Sequence, residues 1–316
     1  MVYKVSCLAV VAVLVAAPSF AQDVSFSTGP ATTVTEGLID CGRGSRISSV
    51  GEIKSEDGKT RIVPADTHFL TGPQAADLYN ACAGFEPDAL SAVDLEAVEV
   101  VDVGGSEEFT ALIFADNYFE LYVNGKLIAV DPVPFTPFNS SAVRFKADRP
   151  VSLAVMGVDW EENLGLGSEA GRGAAYHPGD AGIVMQIRDE AGETVAITDT
   201  DWRAQVFYVS PLAERSCLLV DGQTRDSSAC STASVQDGSG YSAAFWDIPD
   251  GWMEPGFDDS AWPAAVAYSN ETVGVDNKPG YTNFTEVFDT PGADASFIWT
   301  SNLVLDNLVL LRTTID

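Results

Sequence analysis

The sequence predicts an all-β protein: an antiparallel β-sandwich of the jelly-roll type, with a small N-terminal extension that contains one short helix. Short runs of β-forming residues recur along the chain, with glycine, asparagine and aspartate between them. An Asn124-Gly125 dipeptide, typical of a tight hairpin, lies between two such runs. Helical periodicity is nearly absent from the central part of the chain. Many short strands without alternating helices favour a sandwich over a parallel α/β sheet.

Residues 1–21 have the pattern of a secretory signal peptide. Lys4 precedes an apolar run over Val5–Ala17, and Ser19-Phe20-Ala21 forms a small-x-small cleavage site. We therefore expect a secreted protein, extracellular or periplasmic, whose mature chain begins at Gln22. No later run reaches the roughly 18 apolar residues that a membrane-spanning helix needs, so no transmembrane segment is expected.

Four cysteines follow the signal peptide, an even number for a compartment that permits oxidation. Proximity along the chain favours the disulfides Cys41–Cys82 and Cys217–Cys230. In the chain-entropy model these loops contribute about 4 and about 3 kcal/mol. Two free pairs or a metal site are the alternatives, although no CxxC spacing is present.

The chain divides in this interpretation into an N-terminal extension over residues 22–104 and a sandwich over residues 105–316. Gly72-Pro73 and Gly84 bracket a predicted helix at Pro73–Ala83. A hairpin is expected around Asp57-Gly58. The sandwich is expected to contain eight strands in its central part: Phe109–Ala115, Tyr118–Val123, Leu127–Val130, Ala142–Phe145, Val151–Val158, Ile183–Ile187, Thr194–Ile197 and Trp202–Val209.

The hairpin at Asn124-Gly125 should pair Val123 with Lys126, because the dipeptide tolerates a type I′ turn. The register then places an apolar stripe on one face, formed by the pairs Leu121 with Ile128 and Phe119 with Val130. The opposite face carries Tyr118, Glu120 and Tyr122. The two tyrosines either cover neighbouring backbone or bind a ligand, as part of a platform for a sugar.

The segment 159–182, DWEENLGLGSEAGRGAAYHPGDAG, is predicted to be a long loop without secondary structure, and such loops are commonly functional or disordered. Its carboxylates suit a hard cation such as Ca²⁺, and the candidate ligands are Asp159, Glu162 and Asp180. The candidate sugar-binding residues are Trp160, Glu161, Glu162 and Asn163. The alternatives are an acidic loop held down by Trp160 or the carboxylate pair of a glycosidase.

The segment GWMEPGFDDSAWPAA, residues 251–265, offers Trp252 and Trp262 as faces on which a sugar ring can stack. Asp258 and Asp259 are placed to accept hydroxyl hydrogens. The alternative role of this segment is to close the sandwich as part of its core or edge.

The net charge of −29 disfavours nucleic acid and anionic membrane surfaces as partners. His68 and His177 are the two histidines in the sequence, and neither G-x-S-x-G nor H-E-x-x-H occurs. No catalytic residue is therefore assigned.

Three segments together resemble the galactose-binding-like β-sandwich modules that accompany bacterial α-L-rhamnosidases. They are ADNYFELYVNGKLIA at 115–129, IVMQIRDEAGETVAITDTDWRA at 183–204 and GWMEPGFDDSAWPAA at 251–265. Such modules usually open with a strand ending in Leu-Arg-x-x-Phe. Here no such strand precedes residue 105, and FIWTSNLVLDNLVLLRTTI lies at the end, so the order looks circularly permuted. The catalytic barrel of a rhamnosidase has no counterpart in the sequence.

This permuted order predicts that Leu308–Thr314 is a strand of the same sandwich as Phe109–Val123, with Phe297–Trp299 packed beside it. The sequence as a whole indicates a secreted, non-catalytic, glycan-binding protein, with Ca²⁺ as a candidate cofactor. A structural or adhesive surface component is the alternative, and a glycoside hydrolase is a third.

Overall fold

Two large β-sheets contain most of the strands in the computed structural model, which describes residues 23–42, 45–171 and 173–316. The predicted signal peptide lies outside the described residues. The strands in chain order are β1 Ser25–Thr28, β2 Thr32–Thr35, β3 Val50–Lys54, β4 Thr60–Val63, β5 Ala76–Asn80, β6 Val100–Asp102, β7 Glu107–Asp116, β8 Tyr118–Val123, β9 Lys126–Val130, β10 Asn139–Ala147, β11 Val151–Val158, β12 Glu169–Gly171, β13 Ala174–His177, β14 Gly182–Asp189, β15 Thr194–Ile197, β16 Arg203–Leu212, β17 Leu219–Asp221, β18 Thr224–Asp226, β19 Ser242–Phe245, β20 Val266–Tyr268, β21 Asp289–Thr290, β22 Ala293–Asp294, β23 Phe297–Trp299 and β24 Asp306–Ile315.

Among the residues that the structure describes, helical structure is confined to short turns. The α-helices are α1 Asn270–Val273, α2 Pro279–Thr282 and α3 Thr285–Phe288, and the 3₁₀ turns are Leu90–Ala92, Leu95–Ala97 and Arg215–Cys217. Within the described part of the chain, no helix is long and apolar enough to cross a membrane.

The first large sheet has seven strands in the order β1-β19-β16-β24-β11-β8-β9. The second has the order β20-β23-β14-β7-β10-β5, with β15 paired to β14 and β6 to β10. All of these pairs are antiparallel except β6 with β10. Both sheets supply side chains to one hydrophobic core. The all-β, antiparallel sandwich that the sequence predicts is therefore the observed fold.

The C-terminal strand is confirmed. β24 lies between β16 and β11, and β11 in turn pairs with β8. β23 lies in the other sheet, and the Trp299 indole donates across the sandwich to the Asp306 carbonyl at 2.7 Å. The contact between the two terminal segments therefore runs between the sheets and not within one.

The predicted helix at Pro73–Ala83 is wrong. This stretch holds β5, which pairs with β10, and the backbone N–H of Ala75 donates to the Val130 carbonyl at 2.9 Å. Pairing with the sheet edge satisfies the backbone groups that a helix would have paired internally, so tertiary context overrides the local signal. Strands from before residue 104 thus belong to both large sheets, and the boundary at that residue stays a prediction.

The hairpin at Asn124-Gly125 pairs Val123 with Lys126 as predicted, but the predicted pairs beyond it are wrong. A bulge shifts the register, so that Leu121 lies opposite Ala129 and Glu120 opposite Val130. The extra residue of a bulge leaves no simple pattern in a sequence. The hairpin expected at Asp57-Gly58 is present as β3 and β4.

Glu120 explains the polar groups and aromatics of β8. Its side chain is completely buried and accepts hydrogen bonds from the hydroxyls of Tyr118 at 3.1 Å and Tyr122 at 2.7 Å. The backbone N–H of His68 also donates to it, and the His68 ring nitrogen Nδ1 lies 3.0 Å away. Both faces of this strand are interior, and the tyrosines satisfy a buried carboxylate.

Both predicted disulfides are present, Cys41–Cys82 and Cys217–Cys230. The first joins the segment before β3 to the end of β5. The second closes the loop that carries β17 and β18. Two cross-links of this kind fit an oxidising compartment.

Candidate functional site

Three chain segments converge at one end of the sandwich. β7 ends at Asp116, where it pairs with the start of β14. Directly after β11, the backbone N–H of Trp160 donates to the Asn117 side-chain oxygen at 2.6 Å. This arrangement carries Asp159 and Asp180 towards Asp116, and the charge of Asp180 contributes to raising the pKa of both other carboxyls.

A fourth segment adds a carboxylate and an imidazole. The loop 159–182, predicted without secondary structure, contains the short hairpin of β12 and β13, in which Glu169 pairs with His177. Register pairing places both residues at the same end of the hairpin. The His177 Nδ1 atom lies 2.5 Å from the Ser234 hydroxyl.

Two cations complete the site. The Arg46 guanidinium donates to Glu169 and lies 5.2 Å from the centroid of the Phe135 ring. The Lys278 ammonium lies 4.1 Å from the centroid of the Phe138 ring. Each cation therefore rests on an aromatic face, an arrangement that favours both partners.

These groups line a cavity of about 200 Å³, which we call the acidic cleft. Its lining residues are Arg46, Asp116, Asn117, Phe135, Thr136, Phe138, Glu169, Gly171, His177, Gly179, Asp180 and Lys278. Polar side chains that converge on a concave surface are typical of small-ligand sites.

The carboxyls of Asp116 and Asp159 lack the hydrogen bonds that buried acids normally receive. Both residues are 4% exposed. Among the residues that the structure describes, only the Asn117 amide donates to the Asp116 carboxyl, at 2.9 Å. None of the described residues donates to the carboxyl of Asp159. A buried carboxyl that accepts so few hydrogen bonds from the described residues is a natural contact for a ligand.

The other buried acids of the sandwich provide the contrast. The Asp131 carboxyl accepts from the Val133 N–H and the Asn139 amide, and the Glu161 carboxyl from the Gly165 N–H and the Tyr208 hydroxyl. Asp306 accepts from the hydroxyls of Ser227 and Thr300, both at 2.6 Å. The fold thus satisfies its structural carboxyls, and the two in the cleft region differ from them.

Burial raises the pKa of Asp116 and of Asp159 well above the usual range, and neighbouring carboxylates raise it further. Burial also raises the pKa of Glu169, which the hydrogen bond from Arg46 partly offsets. The protonated form of each of these carboxyls is therefore more favoured than it would be in water. A carboxyl accepts hydrogen bonds in either form and also donates one when it is protonated.

The aromatic residues proposed as sugar-binding from the sequence all lie in the interior: Trp160, Tyr118, Tyr122, Trp252 and Trp262. Trp160 packs edge-on against Tyr118, and Trp252 packs in the same way against Tyr122. None of these rings offers a free face. They consolidate the core. This was the alternative role considered for Trp252 and Trp262, whereas the tyrosines were expected to cover neighbouring backbone and Trp160 to hold down an acidic loop.

Glu161, Glu162 and Asn163, the other candidate residues of the long loop, do not meet at one site. Glu161 is buried with Tyr208, away from the cleft lining. Glu162 accepts from the Ala170 N–H at 2.8 Å and lies 3.9 Å from Arg46. The Asn163 amide donates to the Ala175 carbonyl at 3.1 Å. Glu162 thus supports the cleft through Arg46, and Asn163 supports the hairpin.

The proposed metal ligands fall into the same region without forming a clear coordination site. Asp180 lines the cleft, Asp159 lies behind it beside Gly179, and Glu162 faces Arg46. Within the described ranges, no group of three or more His, Cys, Asp or Glu side chains is placed to hold a metal ion. The carboxyls influence one another electrostatically at longer range.

Sequence reasoning missed Arg46, Asp116 and Lys278 as site residues. Asp116 and Asn117 stand at the start of the hairpin segment, where two polar residues interrupt two β-forming runs, and this interruption was the available signal. Arg46 and Lys278 come from opposite ends of the chain and have no local signal. Their position depends on the folded sheets.

Asp306, a buried acid whose carboxyl accepts hydrogen bonds from two hydroxyls, leads to a prediction about how stability depends on pH. Burial raises its pKa to about 7, so the folded state favours the protonated form more than the unfolded state does. Its contribution to stability is fully present below the unfolded pKa of roughly 3.9 and is lost as pH rises through about 7. Through this group, the wild type should lose about 2–3 kcal/mol of its free energy of unfolding between roughly pH 5 and pH 8.5. Asp306→Asn should not show this part of the loss.

Urea titrations of wild type and variant at both pH values measure this difference. Asp258→Asn, at an exposed carboxylate whose pKa is lowered by hydrogen bonds from Ser260, is the control, because this group is ionised in both the folded and the unfolded state between these pH values and its loss should leave the pH dependence of the wild type. An Asp306→Asn protein with the pH dependence of the wild type would contradict the assignment.

No family model, no curated protein and no solved structure matches this chain. The resemblance to galactose-binding-like modules therefore stays a prediction, and the argument about function depends on the acidic cleft itself.

Proposed function

We propose that this protein is a secreted, non-catalytic glycan-binding protein and that the acidic cleft holds one sugar ring. The observation that carries the proposal is the pair of buried carboxyls, Asp116 and Asp159: among the described residues, one amide donates to the first and none donates to the second. A sugar presents several hydroxyls on a compact ring, and each hydroxyl can donate to one oxygen while it accepts from another group.

The size and lining of the cleft support a single ring. Its volume of about 200 Å³ is small for a drug-sized ligand. Phe138 is partly exposed and offers an apolar edge, while Asn117 and Thr136 add an amide and a hydroxyl. An apolar wall next to several polar groups matches the mixed surface of a sugar ring.

Charge restricts the kind of glycan. Carboxyls outnumber cations in the cleft, Arg46 is already engaged by Glu169, and the whole chain carries a net charge of −29. An anionic glycan would meet repulsion at long range from this net charge. We therefore propose an uncharged glycan as the ligand.

A glycan-binding experiment with and without a chelator decides whether calcium takes part in binding. The cleft already contains positive charge from Arg46 and Lys278, so we propose that the sugar binds the side chains directly. A glycan array probed with the mature protein, with and without EDTA, should give the same neutral glycans in both conditions. Loss of all signals in EDTA would show that a cation is required.

Gly179→Leu should weaken binding without unfolding the protein. A β-carbon at position 179 would lie 3.4–3.5 Å from atoms of Glu169 and Asp159, which is ordinary contact. Because Gly179 lines the cleft, we expect the rest of the leucine side chain to occupy it. We expect the affinity for the best neutral sugar to fall at least about tenfold, equivalent to ~1.4 kcal/mol. Titration calorimetry measures the affinity.

Gly256→Leu is the matched control, because position 256 is exposed and a β-carbon there meets no atom within 4 Å. It should bind as the wild type does. Unchanged binding by Gly179→Leu would exclude the cleft as the site. Release of reducing sugar from bound oligosaccharides, measured in the same samples, would indicate a hydrolase instead.

A structural or adhesive role is the second candidate, supported by β2. This strand is exposed along its whole length, and Val34 is 50% exposed. In the part of the chain that the structure describes, its outer edge has no partner strand. Unpaired edges of this kind can pair with another copy. Sedimentation velocity over a range of concentrations tests it, and a monomer at all concentrations would exclude self-association.

A further inference from the structure

A second and larger cavity lies next to the acidic cleft, and we call it the outer groove. Its volume is about 630 Å³, roughly three times that of the cleft. His177, Gly179 and Asp180 line both cavities. One short segment of chain therefore forms a wall that the two cavities share.

The outer groove has two walls that the fold fixes in place. One is the loop Ser228–Thr232, which the Cys217–Cys230 disulfide anchors. The other is α1, whose N-terminus is capped by the Ser269 side chain.

The floor of the groove is the turn before β24. There the Asn302 amide donates to the Ser227 carbonyl at 2.9 Å, and its oxygen accepts from the backbone of Val304 and Leu305. The floor is therefore bonded to the segment that leads into the disulfide loop. A groove with pinned walls loses little conformational entropy when it binds a ligand.

The lining of the outer groove is rich in hydroxyls. It is also more exposed to solvent than the lining of the cleft. Ser228, Thr232, Thr272 and Ser301 line it, and Thr232 and Thr272 are exposed. The cleft, in contrast, has the buried Asp116 in its lining. A ligand that fills both cavities therefore has one end enclosed and the remainder close to solvent.

We propose that the ligand is an oligosaccharide whose terminal ring occupies the acidic cleft and whose next two or three rings lie in the outer groove. This inference rests on the proposed function, since it assigns the direction and the length of the oligosaccharide that the cleft recognises. The ratio of the two cavity volumes sets the number of sugar rings. The shared His177–Asp180 segment lies where the oligosaccharide passes from one cavity to the other.

The test compares mono-, di-, tri- and tetrasaccharides of glucose, galactose, mannose and rhamnose by titration calorimetry. The affinity should rise at least about tenfold from the monosaccharide to the trisaccharide of the series that binds and then level off. Thr232→Trp and Thr272→Trp each place a large side chain in the groove. Both variants should reduce the trisaccharide affinity to that of the monosaccharide and leave the monosaccharide affinity unchanged.

Thr35→Trp, on the exposed strand β2, is the control and should retain the gain with chain length. Equal affinities for all lengths in the wild type, or an unchanged gain in both groove variants, would overturn the inference while the cleft remains a monosaccharide site. Absence of binding to every member of the four series would remove the proposed function and this inference together.

Discussion

Removal of residues 307–316 will leave a chain that does not fold. These residues supply almost all of β24, which lies between β16 and β11 in the seven-stranded sheet. Its buried aliphatic side chains are Leu308, Val309, Leu310, Leu311 and Ile315. Each contributes roughly 1.5–3 kcal/mol, against a total stability of about 5–15 kcal/mol. The loss also leaves the interior strands β16 and β11 with one partner strand each in place of two, β19 and β8 respectively.

The measurement is near-UV circular dichroism together with urea denaturation of the truncated chain. A variant that lacks β1 is the control, because β1 is an edge strand with one partner, β19. The control should unfold cooperatively at a lower urea concentration than the full chain. A cooperative transition in the C-terminal truncation would mean that β24 is dispensable.

The strands were the most predictable part of the fold because their signals are local. Tyr118–Val123 and Val151–Val158 have the predicted bounds, and the Asn124-Gly125 turn forms as its sequence requires. Pro73–Ala83 was mispredicted because the decisive interaction, the pairing of β5 with β10, involves residues far away in the sequence. Local propensity has no access to such a partner.

The candidate site was less predictable for the same reason. Of its charged residues, Asp180 was named from the sequence as a ligand, because it lies in a conspicuous acidic loop. Arg46, Asp116 and Lys278 meet there only after β7, β14 and the two ends of the chain are assembled. Aromatics that looked suitable for stacking on a sugar, such as Trp252, were instead needed for the core.

Arg312→Leu is expected to destabilise the protein by about 3–5 kcal/mol, because it removes a buried charge whose partners remain in place. The Arg312 side chain is 4% exposed. Its guanidinium donates to the Asp259 carboxylate at 2.8 Å, to the Glu254 carbonyl at 3.1 Å and to the Trp252 carbonyl. One residue of β24 therefore anchors the aromatic segment 251–265 to the sheet.

Thermal unfolding followed by calorimetry measures the effect, and a decrease in Tm of roughly 10 °C is expected for a chain of this size. Arg203→Leu is the matched control. Arg203 lies directly opposite Arg312 on β16, is exposed, and donates one long hydrogen bond of 3.3 Å to the Trp262 carbonyl, so its loss should cost less than about 1 kcal/mol. Equal effects of the two substitutions would show that the aromatic segment is held by its tryptophans alone. A selective effect of Arg312→Leu would show that this segment depends on a charge provided by the C-terminal strand.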